Sequence, residues 1–236
     1  MNLKSDIINI FKSNMVNSLI VIIVVLSLIF LVFNSFIAGS ANTGISEYIF
    51  LSSDYSEVLK HFWVLITHLF IDQSIYNLIW NMLILYWFGY ILGDLIGDDT
   101  ILPAYLFTGL SGAALFFFAS YILHFNYYYL SGVRTSTIGV MMASAFLVPD
   151  YNIRLILLGN VKLKFVALAI LTIDLLFLFA SNDYSYWAII GATIAAWLYI
   201  KDIRSGKKIK SFFNAIFTWF KSIFAFKKIK TNLNSM

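Results

Sequence analysis

The chain holds few side chains suited to acid–base or nucleophilic chemistry, and they lie far apart in the sequence. Its imidazoles are His61, His68 and His124, and it has no cysteine, which excludes thiol and disulfide chemistry. A histidine that accepts the proton of a serine hydroxyl would support attack on a peptide carbonyl. Three scattered histidines do not form a metal-binding pattern, so we expect no metal site and no cofactor.

Two charged side chains lie in or beside long apolar stretches. Asp174 stands well inside one stretch, and Arg134 directly precedes another. A charge at the bilayer centre costs about 2.5–3.5 kcal/mol, so each needs a partner or a route to water. For Asp174 we favour a structural hydrogen bond, with proton or ion handling and partner binding as alternatives. Arg134 either extends to the outer water or forms an ion pair with Asp72 or Asp183.

Six apolar stretches must position these side chains, and we predict that each is a membrane-spanning helix. Several reach the roughly 20 residues that a helix needs to cross about 30 Å of hydrocarbon. The two shortest are marginal and would need neighbouring helices around them. The stretches cover residues 16–37, 75–96, 101–125, 135–149, 165–180 and 187–200.

The overall composition is that of a membrane protein. Hydrophobic residues make up 61% of the chain and charged residues 12%, and the mean hydropathy is +0.84. Soluble domains carry about 25% charged residues, so an ordinary soluble fold is excluded. The bilayer is therefore the solvent in which any function must be considered.

Basic residues are distributed unevenly between the segments that join the stretches. If these segments are numbered alternately from the inside, every lysine and arginine except Lys60 and Arg134 falls on the inner side. The positive-inside rule therefore places both termini in the cytoplasm. We expect the basic side chains to contact anionic lipid headgroups, and we expect no nucleic-acid partner.

Two segments outside the stretches are apolar enough to lie on the bilayer surface. Residues 38–72 suggest short helices in the outer leaflet, and residues 207–230 suggest an amphipathic helix on the inner leaflet. We therefore divide the chain into a cytoplasmic N-terminal segment (1–15), a membrane domain (16–204) and a basic amphipathic cytoplasmic tail (205–236).

The order of short motifs along residues 14–204 resembles the rhomboid family of intramembrane serine proteases. The resemblance implies an all-α membrane protein with a rhomboid-like bundle of six transmembrane helices, similar to bacterial members and hence located in a bacterial inner membrane. The motifs are Phe62-Trp63-Val64-Leu65-Ile66-Thr67-His68, Asn81-Met82-Leu83, Tyr86-Trp87-Phe88-Gly89, Tyr105-Leu106-Phe107-Thr108-Gly109-Leu110-Ser111-Gly112, Val148-Pro149-Asp150-Tyr151, Gly159-Asn160-Val161-Lys162-Leu163-Lys164 and Asp174-Leu175-Leu176.

The resemblance implies a serine in a Gly-x-Ser-Gly-like turn at the start of the fourth span and a histidine on the sixth span that takes its proton. This sequence departs from both positions. Anchored on residues 147–149, the turn corresponds to Gly132-Val133-Arg134-Thr135, so Arg134 stands at the serine position. Anchored on Gly191 and Tyr199, the histidine position is Ile189.

The residues that would stabilise an oxyanion are also altered. In the family a His-x-x-x-Asn pair on the second span helps to hold the oxyanion. Here the pair reads Asn77-x-x-x-Asn81, which keeps the asparagine and loses the histidine.

We therefore predict a catalytically inactive member, a pseudoprotease that binds transmembrane segments of other proteins in the lipid bilayer. One alternative is an active serine endopeptidase with Ser136 as a displaced nucleophile and His124 as its base. Ser136 follows Arg134 by two residues, which on a helix turns it about 200° to the opposite face. The second alternative is a small transporter or channel built around Asp174 and Arg134, for which the sequence offers no inverted repeat.

Overall fold

The computed structural model describes residues 15–37, 48–124, 128–155 and 159–205. These residues form eight α-helices and two small antiparallel sheets, which pair β1 with β2 and β3 with β4. In chain order the elements are α1 Met15–Ile37, β1 Leu51–Ser52, α2 Tyr55–Lys60, α3 Val64–Thr67, α4 Ile75–Ile96, α5 Ile101–Leu123, β2 Tyr129–Leu130, α6 Gly132–Leu147, β3 Asn152–Leu155, β4 Gly159–Lys162, α7 Leu163–Ala180 and α8 Tyr186–Ser205.

Each of the six predicted stretches lies largely within one long helix, and the predicted all-α membrane bundle is confirmed. Four helices are long and apolar enough to cross a membrane: Met15–Phe36, Ile75–Ile96, Asp98–Leu123 and Leu163–Ala180. The other two are α6, which at 16 residues is about 24 Å long, and α8, which carries charges near its end. The count of six spans therefore stays a prediction.

Helix α6 is the centre of the bundle. Nearly all of its side chains are buried, and it packs against α4, α5 and α8. Small residues permit this close approach, because a Cβ atom at Gly139 would lie 2.2 Å from Thr108 Oγ1 on α5. Such packing through small residues is typical of membrane helices. A helix enclosed by protein need not match the thickness of the lipid, which explains how α6 can be short.

The outer segment is fastened to the residues that precede α6. Leu51 pairs with Leu130 and Ser52 with Tyr129, which joins β1 to β2. Between these strands lies α2, and its N-cap residue is Asp54, whose side chain accepts a hydrogen bond from Ser56 N at 2.8 Å. Exposed apolar side chains follow along α2 and α3, as contact with lipid predicts: Leu59, Phe62, Trp63 and Ile66.

At the opposite end of α6, a β-hairpin joins it to α7. Asp150 accepts hydrogen bonds from Lys164 at 2.8 Å and from Lys162 at 3.0 Å. The hydrogen bond from Lys164 is the main cause that lowers the pKa of Asp150 to about 2. The predicted N-terminal segment and amphipathic tail lie outside the described residues, apart from residue 15 and Ser205.

Candidate functional site

The first turn of α6 is held against the segment that follows α3. Helix α6 begins at Gly132, and Ser131 precedes it as the N-cap residue with extended backbone. Gly132 N donates a hydrogen bond to His68 O at 2.8 Å. Ser131 Oγ donates to Ile71 O at 3.1 Å. The Gly132 N–H group and the Ser131 hydroxyl therefore both have hydrogen-bond partners within the protein.

A Ser-Gly dipeptide stands at the start of the fourth long helix, three residues before the position that the sequence alignment gives to the family's serine. The dipeptide at the start of the fourth long helix is Ser131-Gly132, which matches the last two residues of a Gly-x-Ser-Gly-like turn. Arg134 is the third residue of α6, and its side chain extends to α7. The alignment anchored at the far end of the helix places the turn at Gly132-Val133-Arg134-Thr135, and the Ser-Gly pair is a second candidate for it. Anchoring the alignment on the Ser-Gly pair itself gives Ser131 as the serine position.

No proton acceptor from α8 lies beside this turn. Helix α8 contains no histidine, and Ile189 is fully buried in the main apolar core. Its neighbour Ala188 belongs to a second apolar cluster that also contains Leu130, the residue before Ser131. Both residues at this level of α8 are therefore apolar and buried, and neither side chain can accept a proton.

His68 is the imidazole packed closest to the start of α6. Its side chain is fully buried, and Nδ1 lies 2.6 Å from Val64 O, so the tautomer that fits carries its proton on Nδ1. Within the described part of the chain Nε2 has no hydrogen-bond partner, and a Cβ at Gly132 would lie 2.9 Å from it. Burial lowers the pKa of His68 to about 4. His68 is therefore a neutral packing residue at physiological pH.

The structure does not bring Ser136 and His124 together. Ser136 is fully buried, and a Cβ at Gly109 would overlap its Oγ atom, so Ser136 lies at the level of Gly109 on α5. His124 ends α5 in a left-handed conformation. At 1.5 Å per residue, His124 lies about 22 Å further along the helix axis than Gly109. His61 lies in the outer segment, where Nδ1 is 3.9 Å from Glu57.

Arg134 and Asp174 form an ion pair between α6 and α7. Arg134 Nε lies 3.0 Å from one carboxylate oxygen of Asp174 and 3.1 Å from the other, and Nη2 also donates to Asp174. The relative exposure of the side chains is 21% for Arg134 and 7% for Asp174. The partner of Arg134 is thus the Asp174 carboxylate, which lies within the fifth apolar stretch of the sequence.

The partners expected for Arg134 from the sequence were therefore wrong. Asp72 accepts a hydrogen bond from Asn81 Nδ2 at 2.8 Å, and Asp183 accepts from the Tyr128 hydroxyl. Neither carboxylate forms an ion pair with Arg134. The two charges around which the transporter alternative was built thus pair with each other.

The two asparagines of the oxyanion motif have different environments. Asn81 is buried and is hydrogen-bonded to Asp72, whereas Asn77 is exposed. Asp72 N also donates to Ser27 Oγ at 2.9 Å, so this polar cluster ties α1 to α4. Burial raises the pKa of Asp72, opposed by hydrogen bonds from Ser74 and Asn81. The asparagine that matches the family motif thus has a structural partner.

The comparison with known families agrees with this architecture. The family model for the Rhomboid domain matches residues 59–204, from the end of α2 to the last turn of α8. The match covers more than half of the chain, which therefore belongs to the rhomboid family and is an integral membrane protein. Comparisons with curated proteins and with solved structures find no match for the chain.

Proposed function

We propose that this rhomboid protein binds transmembrane segments of other proteins and does not cleave them. The observation that carries the proposal is that α8 contains no imidazole, and that Ala188 and Ile189 on this helix are buried and apolar. A serine hydroxyl is a weak nucleophile without a base to take its proton. The chain keeps the all-α membrane architecture of the family, and binding within the membrane is the activity we propose for it.

The polar groups around the turn support the same proposal. Ser131 makes its hydrogen bond with Ile71 O, and within the described residues it makes none with His68. Asn81 donates to Asp72, and the position of the family's oxyanion histidine is the exposed Asn77. We infer that a nucleophile, a base and an oxyanion site are not assembled in one place, because no hydrogen bond within the described residues joins Ser131 to a histidine, and catalysis needs all three in mutual reach.

The proposed orientation has both termini in the cytoplasm of a bacterial cell, with the protein in the inner membrane. It rests on the positive-inside rule and on the resemblance to bacterial members of the family. The hairpin between α6 and α7 supports it, because Lys162 and Lys164 cluster there at the end of α6 that this orientation places inside.

A fluorophosphonate probe tests for a reactive serine. The purified protein in detergent is expected to show no covalent labelling, and the Ser131→Ala and Ser136→Ala variants are expected to give the same background. An active rhomboid protease, treated in parallel, shows that the conditions permit reaction. Labelling of the native protein that disappears in either alanine variant, with that variant still folded by size-exclusion chromatography, would overturn the proposal.

A further inference from the structure

We propose that Arg134 recognises a carboxyl or carboxamide side chain in the membrane segment that this protein binds. This inference rests on the proposed function and specifies the chemistry of its partner: a transmembrane helix that carries one polar hydrogen-bond acceptor about 9 Å from its outer end. It assigns a binding role to the edge of the guanidinium group that Asp174 leaves open.

The first support is the set of donors that the ion pair does not use. A guanidinium group has five N–H donors. Nε and Nη2 serve Asp174, and within the described part of the chain Nη1 makes no hydrogen bond. Arg134 is also the more exposed residue of the pair: the relative exposure of its side chain is 21%, against 7% for Asp174. The open edge of the pair is therefore a hydrogen-bond donor.

The second support is depth in the membrane. Asp174 lies about 9 Å from the outer end of α7 and about 4 Å from its midpoint, at 1.5 Å per residue. Hydrocarbon offers no acceptor at that depth, and an unsatisfied donor there is costly. A hydrogen-bond acceptor on another transmembrane helix also lacks a partner in lipid. An acceptor on such a helix satisfies both.

The third support is the surface around the pair. The buried residues of α7 form one narrow stripe, in which Asp174 takes a central place: Leu163, Ala167, Leu171, Asp174 and Leu178. The rest of the helix exposes large apolar side chains, among them Ile173, Leu176 and Phe177. A helix docked beside α7 would thus meet an apolar surface with one donor within it. That arrangement favours an apolar partner helix with a single acceptor.

Model transmembrane peptides test the inference in phosphatidylcholine vesicles. A leucine–alanine host helix is compared with versions that carry one asparagine or one aspartate about 9 Å from the outer end. Binding is measured by energy transfer between labelled peptide and labelled protein. The two polar peptides are expected to bind roughly tenfold more tightly than the host, as for one interhelical hydrogen bond. The matched control peptide carries its asparagine near the inner end and is expected to bind like the host.

The variant for this test removes both charges together. Arg134→Leu alone would leave Asp174 buried without a partner, so Arg134→Leu is combined with Asp174→Leu, which is expected to keep the bundle folded. This double variant should lose the preference of the native protein for the polar peptides over the host peptide. Equal binding of all peptides by the native protein, or a preference that persists in the folded double variant, would overturn the inference and leave the proposed function standing. Absence of binding by every peptide would overturn the proposed function, and the inference with it.

Discussion

Replacing Arg134 by alanine is expected to lower the free energy of unfolding by about 3 kcal/mol, and replacing Asp174 by alanine is expected to do the same. Each single change leaves one charge in the membrane without its partner. The double variant is expected to lose clearly less than the sum of the two, because no uncompensated charge remains. The coupling between the two sites should reach about 1–3 kcal/mol.

Equilibrium unfolding in mixed micelles measures the four free energies of this cycle. The control is a second cycle in which Asp72→Ala replaces Asp174→Ala. Asp72 is occupied by Asn81 and Ser74, so its cycle with Arg134 should be close to additive. Strict additivity for Arg134 and Asp174, or a larger coupling for Arg134 and Asp72, would contradict the ion pair as the structure shows it.

Acidification from pH 6.5 to pH 4 is expected to destabilise the protein through His68 by up to about 3 kcal/mol. The pKa of His68 is about 4 in the folded protein, below its ordinary value of 6.5. Between these values the unfolded chain binds a proton that the folded protein does not, so stability falls as the pH falls. Above pH 6.5 the imidazole is neutral in both states and contributes no pH dependence.

The His68→Asn variant isolates this contribution. An asparagine amide can still donate to Val64 O, but it does not titrate, so the variant is expected to lose less stability than the native protein between pH 6.5 and pH 4. His61→Asn is the matched control, since His61 lies in the same outer segment with its side chain partly exposed. It should retain the pH dependence of the native protein. Asp72 also titrates in acid, so the result is the difference in pH dependence between the variants and the native protein, and not the pH dependence of any one of them. An identical pH dependence in His68→Asn and the native protein would contradict the burial of a neutral His68.

The six long helices could be predicted because an apolar stretch of this length indicates a membrane helix without any further signal. The start of α6 was harder, because thirteen of its sixteen residues are buried and polar residues are buried along with apolar ones, so no exposed face marks the helix. An alignment anchored at the far end of that helix gives Arg134 as the serine position, whereas one anchored on the Ser-Gly pair gives Ser131, three residues earlier. The histidine position stays a prediction at Ile189, and its neighbour Ala188 lies in the apolar cluster that contains Leu130.

The ion pair shows what sequence patterns leave open. Arg134 was expected to need a partner, and Asp174 was expected to make a structural hydrogen bond, yet the two were not joined. They lie 40 residues apart, and only the packing of α7 against α6 brings them together. The pairing of Leu51 with Leu130 is similar, since two-residue strands carry no periodic signal that could predict it.

The most direct test of the central claim is to incubate the protein with transmembrane peptides in vesicles and to analyse the peptides by mass spectrometry. The account predicts intact peptides, with the same result for the native protein and for Ser131→Ala, while an active rhomboid protease cleaves peptides under the same conditions. Cleavage products that form with the native protein and disappear with folded Ser131→Ala would contradict it.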